Sequence, residues 1–207
     1  MALIADRYQP LEAARPGTPQ RVRDLETAQT VLLRDIALQP ATAEAALTRA
    51  RTVKRIFHPS LVTLFDIYTQ GTERVLLAYE YVPAQTVAQV SGGNPLNPRR
   101  AAEIVSEVAD AVATLHAHGA PHGGISQLSV LVTMKGKAKL DRAGDPSVVD
   151  LANPSYAQDI TALGQLLQEL VGKRPGGSPP LAIDTVLERA RSGALESAAT
   201  LAALLRR

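Results

Sequence analysis

The spacing of apolar positions changes near Val82. Before that point, short runs of aliphatic and β-branched residues are bounded by turn residues, the pattern of strands. Arg7–Ala14, Arg21–Asp24 and Val31–Leu38 predict three strands, with Arg15–Gln20 and Leu25–Thr30 as turns. One helical stretch interrupts them. Thr42 stands at an N-cap position with Glu44 in the first turn, and Ala46, Leu47, Ala50, Val53 and Phe57 recur at helical spacing. This predicts a helix to about Phe57 with those five side chains buried. His58–Tyr68 and Arg74–Val82 predict two further strands, and Pro83 ends the second. After a short helix to about Ser91, Asn97 and Pro98 are N-cap and first residue of a long helix. Its Ile104, Val105, Val108, Val112 and Leu115 face the core, and Gly119 stops it. Val130–Val132 and Lys139-Leu140 predict a small hairpin. Asp159–Leu170 predicts another helix, closed by Gly172, and a Gly- and Pro-rich linker runs to Pro180. Two short helices follow, about Leu181–Arg191 and Ser197–Arg206. A strand-rich first half followed by a helical second half is the α+β class.

Composition narrows the function classes. With 207 residues and 45% hydrophobic residues, the chain can fill the core of one domain or of a compact two-lobed one. Aromatics are 3% with no Trp, so Leu, Val, Ile and Ala must make that core. The absence of Cys excludes disulfides and Cys-zinc sites. A net charge of +2 gives no bulk electrostatic reason to expect nucleic acid. The cluster Arg49, Arg51, Lys54, Arg55 reads as a solvated helix face. No run of ~18 apolar residues exists, so no membrane insertion is expected. The first residues do not form a secretory signal, and the expected location is cytoplasmic. His116, His118 and His122 lie close in sequence, but a spacing of two puts the first pair on different helix faces, so no metal site is expected.

Four stretches carry a resemblance. They are His58-Pro-Ser-Leu-Val-Thr-Leu-Phe-Asp-Ile-Tyr68, Glu80-Tyr-Val82, Leu115-His-Ala-His-Gly-Ala-Pro-His-Gly-Gly-Ile-Ser126 and Asp159-Ile-Thr-Ala-Leu-Gly-Gln-Leu-Leu-Gln-Glu-Leu170. In this order and spacing they resemble the bacterial-type Ser/Thr protein kinases, over Arg7 to Leu205. The resemblance implies a two-lobed fold, with residues 1–82 as an N-lobe of antiparallel sheet plus one helix. Residues 83–207 would be a helical C-lobe, shortened because the A-P-E segment and the helix that docks protein substrates are missing.

The resemblance also shows which reactive groups differ. The family's phosphate-binding Lys falls on Arg34, and the Glu that pairs with it on Arg49. The base Asp of H-x-D-x-x-x-x-N falls on Gly124 and its metal-binding Asn on Ser129, while D-F-G becomes Arg142-Ala143-Gly144. Pro16 and Pro19 remove backbone donors from the Gly-rich turn, where only Gly17 remains. Leu32 fills the floor of the adenine pocket, and Tyr79 stands at its back. Two permanent cations ~4 Å apart in a partly wet site repel by roughly 1–4 kcal/mol, so Arg34 and Arg49 must point apart or each find a carboxylate. The implied reading is a catalytically inactive pseudokinase, not an enzyme. It would have no catalytic, cofactor or metal residues and would act as a protein-binding regulatory or scaffolding module. A divergent kinase or metal-independent nucleotide-binding sensor is the alternative. His122, a packing residue under the loop, and Asp159, an acceptor for backbone N–H groups around His122-Gly123, are the implied structural anchors. Replacing Arg34 with Ala is expected to cost little.

Overall fold

A computed structural model describes residues 3–15, 17–172 and 181–206. Pro16 and most of the linker to Pro180 lie outside the described residues. Strands β1 (Tyr8–Pro10), β2 (Gln20–Asp24), β3 (Thr30–Ala37), β4 (Leu64–Gln70) and β5 (Arg74–Glu80) make an antiparallel sheet in the order β1-β2-β3-β5-β4. Strands β6 (Ala84–Thr86), β7 (Val130–Thr133) and β8 (Ala138–Leu140) make a second, three-stranded sheet. Helix α1 (Ala43–Val53) belongs to the first half, and α2 (Val87–Ser91), α3 (Pro98–Ala117), α4 (Tyr156–Val171), α5 (Leu181–Arg191) and α6 (Ala198–Leu205) to the second.

Alternation along β3 splits its side chains between two cores. Val31 and Leu33 join Tyr8, Val22 and Ala78 on one face, whereas Leu32 and Ile36 turn to the main core. Cross-strand register sets Leu32 against Tyr79 and Arg34 against Leu77. The position after next on one strand shares its face, so Leu32 and Arg34 look into the molecule together.

Helix α1 departs from its sequence pattern at both ends. A 3₁₀ turn, Pro40–Thr42, precedes it, and the Thr42 hydroxyl bonds back to the Gln39 carbonyl instead of capping the helix. The helix also ends one turn early. The Ile56 amide closes a turn on the Val53 carbonyl, which carries Ile56 inward and leaves Phe57 73% exposed. His58–Thr63 is likewise no strand. Val62 donates to the Leu140 carbonyl and Leu140 to that of Ser60, a parallel bridge that stitches the end of the α1 segment to β8. In the second half, Ile104, Val105, Val108, Val112 and Leu115 of α3 are buried, as are Leu163, Leu166, Leu167 and Leu170 of α4. Strand β6 has no signal in the sequence, because three residues carry too little alternation. It exists by pairing with β7. No helix among the described residues is long and apolar enough to cross a membrane.

Candidate functional site

The loop between α3 and β7 is fixed from below by one carboxylate. Asp159, in the first turn of α4, is 1% exposed. Its Oδ2 accepts from the His122 amide at 2.6 Å, and its Oδ1 from the Gly123 amide at 2.7 Å. His116, at the end of α3, adds a third partner through Nε2 at 2.8 Å and packs edge-on against Tyr156. Burial pushes the Asp159 carboxyl up, but the bonds from His116, Gly123 and His122 outweigh it and hold it below its usual range. From the sequence His116 is weighed only as a metal ligand, and its pairing with Asp159 is missed. The only signal would have been its position one turn before Gly119, over the start of α4.

His122 is fully buried and neutral. Its Nδ1 accepts from the Gly124 amide at 3.2 Å, which leaves Nε2 to donate to the Asp141 carbonyl at 2.8 Å. Burial depresses its pKa, and the Asp141 carbonyl opposes that only in part. Both ring nitrogens are thus used to hold the loop against the residue that follows β8.

Arg34 and Arg49 reach this same point from the first half. The Arg34 Nη2 meets the Asp141 Oδ2 at 2.6 Å. The Arg49 Nη2 donates to the His122 carbonyl at 3.1 Å, and burial depresses its pKa. The two cations therefore find different acceptors, and only one of them is a carboxylate. Tyr79 stands beside Arg34, with the guanidinium carbon 5.9 Å from the ring centroid. Its hydroxyl donates to the Ala143 carbonyl at 2.9 Å, and burial pushes its pKa well up.

Ser129 and Arg142 bond to their own neighbours. Ser129 accepts from the Ser126 amide at 2.9 Å and donates to the Ser126 carbonyl, closing the loop on itself. Arg142 has a left-handed backbone (φ 69°), and its side chain turns to Asp145 and Ser147. Asp145 is buried and also accepts from the Ser147 amide and hydroxyl. The short segment that follows covers the loop. A Cβ on Gly124 would stand 2.7 Å from the Val148 Cβ, and one on Gly123 2.6 Å from the Val149 Cγ2. A side chain at 124 has no room while Val148 is in place. Above lies a cleft of about 750 Å³, lined among others by Gly17, Thr18, Arg34, Arg142, Asp145 and Ser147. His118 bonds to the Thr114 carbonyl of its own helix, apart from His116 and His122.

No family model matches the chain. It is similar to the serine/threonine-protein kinase pkn2 of Myxococcus xanthus, at 25% identity over 137 residues, which are 66% of this chain and 16% of that protein. It is also similar to the kinase PknB of Mycolicibacterium smegmatis, at 26% over 78% of this chain and 28% of that protein. The kinase PkaA of Streptomyces coelicolor is 27% identical over 86% of this chain and 41% of its own length. The chain thus spans less than half the length of these curated relatives. The fold is α+β and two-lobed, with a shortened C-terminal lobe, and the chain is kinase-like, of the bacterial Ser/Thr type. The expectation that it is not an enzyme is overturned. Each of these relatives is named a serine/threonine-protein kinase.

Proposed function

We propose that this chain is a divergent protein-kinase domain. It takes a nucleoside triphosphate in the cleft beside Arg34 and Arg142 and transfers the terminal phosphoryl slowly to a hydroxyl of a protein partner. The observation that carries the reading is the braced loop. Asp159 holds the His122 and Gly123 amides, and His122 ties the loop to Asp141. Phosphoryl transfer passes through a loose transition state, and its catalysis is mostly positioning and charge stabilisation. A general base adds only ~10²–10⁴-fold, so Gly124 lowers the rate without removing the rest. Arg34 stands where the family has its phosphate Lys, and a planar guanidinium fork matches phosphate oxygens. With no carboxylate at 142, guanidinium groups supply the positive charge that a metal would bring.

The acceptor oxygen bonds to the γ-phosphorus as the bridge to the β-phosphate breaks. The diphosphate leaves and the hydroxyl proton passes to solvent. Gly124 is the nearest loop position to such an acceptor, so Val148 and Val149 must swing aside. The partner docks away from the usual substrate groove, since the A-P-E segment and docking helix are missing from the sequence. The test is transfer of label from γ-labelled ATP to a mixture of Ser/Thr-containing proteins and to the chain itself. Expected rates lie about 10²–10⁴-fold below the ~1–100 s⁻¹ of kinases, and Arg34→Ala abolishes them. Incorporation no greater than in a boiled control, or equal incorporation by Arg34→Ala, refutes the reading.

A further inference from the structure

Two arginines enter the centre from β3 and α1 and leave buried donors unused. The Nε of Arg34, and the Nε and Nη1 of Arg49, are buried and reach no acceptor among the described residues. Buried polar groups are almost always hydrogen-bonded, and a buried cation facing only a carbonyl is costly. The nearby carboxylates are already engaged. Asp159 holds two amides and His116, Asp145 holds Arg142 and Ser147, and Asp141 holds Arg34 and the Arg142 amide. The two guanidinium groups also share one anchorage, because His122, which receives Arg49, bonds directly to Asp141, which receives Arg34.

We propose that Arg34 and Arg49 form a metal-independent oxyanion site whose ligand is a phosphate group, either free phosphate or the phosphates of a nucleotide. Its donors are the planar forks that suit tetrahedral oxyanions. Both arginines stand on elements of the first half, and both acceptors on the second. The anion enters as the halves part, and Arg49 then gives up one carbonyl for a full negative charge. The inference rests on the proposed kinase reading through Arg34, which lines that cleft, while Arg49 lies behind it on the His122 carbonyl, and the test separates the two.

The test follows the melting temperature of the purified chain in EDTA with inorganic phosphate, pyrophosphate, ATP or adenosine, against chloride at matched ionic strength. Arg49→Gln and Arg49→Lys are measured beside the wild type. Phosphate or ATP at about 100 times its dissociation constant should raise the midpoint by roughly 5–10 °C. The rise should be the same after Mg²⁺ is added, partly kept in Arg49→Lys and lost in Arg49→Gln. A shift matched by chloride or by adenosine, no shift with any phosphate, or an unchanged shift in Arg49→Gln overturns the site. A shift with phosphate but not with ATP keeps the oxyanion site and removes the nucleotide donor from the kinase reading. An ATP shift that requires Mg²⁺ and ignores Arg49→Gln does the reverse.

Discussion

Asp159 receives three hydrogen bonds from two parts of the chain, and two of the donors are amides of a loop that turns too sharply to pair them elsewhere. Asp159→Ala leaves them buried and unpaired, and should cost about 2–4 kcal/mol in urea unfolding. A loss of less than half a kilocalorie would show that water replaces the carboxylate. His122 makes a second prediction, in pH. Its folded-state pKa lies below the ordinary ~6.5, so the unfolded chain binds the extra proton and the folded one does not. The stability from the neutral imidazole is complete above about pH 6.5 and falls away as the pH drops through and below that value. Urea midpoints should decline from pH 7 to 5 in the wild type and much less in His122→Gln. Asp159, also depressed, adds its own loss only lower, as the pH falls below the usual carboxylate range. Arg34 needs revision at this scale. Its pairing with the nearly buried Asp141 makes Arg34→Ala costly, since the carboxylate is orphaned. A double-mutant cycle between the two should show a coupling of about 1–3 kcal/mol.

Among the elements, the loop of Gly123-Gly124 and the segment through Val148-Val149 behave as one packed unit. Gly124→Ala forces its new methyl against the Val148 Cβ and should cost about 1–3 kcal/mol, most of it returned when Val148→Gly is added. Full additivity of the two substitutions would show that the contact relaxes freely. For the same reason, Gly124→Asp alone should not raise phosphoryl transfer, whereas Gly124→Asp with Val148→Gly should, in the labelling assay above. This unit also marks what the sequence could tell. The braces were legible only through the family resemblance, which implied Asp159 as the acceptor for the amides around His122-Gly123 and His122 as a packing residue under the loop. The covering valines were not, because Asp145–Ser155 has no period and its path depends on which cavity is left open. Phe57 misled for a related reason. Its spacing continued the helical stripe, but the chain closes a turn from the Ile56 amide to the Val53 carbonyl and turns Ile56 inward in its place.

Across the whole molecule, the halves are fastened at separate points. Arg34 bonds to Asp141, Arg49 to His122, Tyr79 to Ala143, Lys139 to Glu80 and Val62 to Leu140. These polar fastenings stand beside one apolar core that itself runs through both halves, from Val53, Leu64 and Tyr79 to Leu140 and Ala143. The wild type should unfold in urea as a single transition, seen alike by far-UV dichroism and by tyrosine fluorescence. Combining Arg34→Ala with Arg49→Ala should separate the two signals. Coincident curves in the double variant would place the coupling in the apolar contacts instead.

The contact between Gly124 and Val148 has a historical consequence. Once a valine occupies the space beside a bare loop position, a side chain returning to that position meets a collision first, and any benefit comes only after a second change elsewhere. Two substitutions, one at 124 and one at 148, separate this sequence from one with an unhindered carboxylate at 124. The order of the two changes decides whether the path is open, since loss of the Val148 side chain first would clear the space beside Gly124.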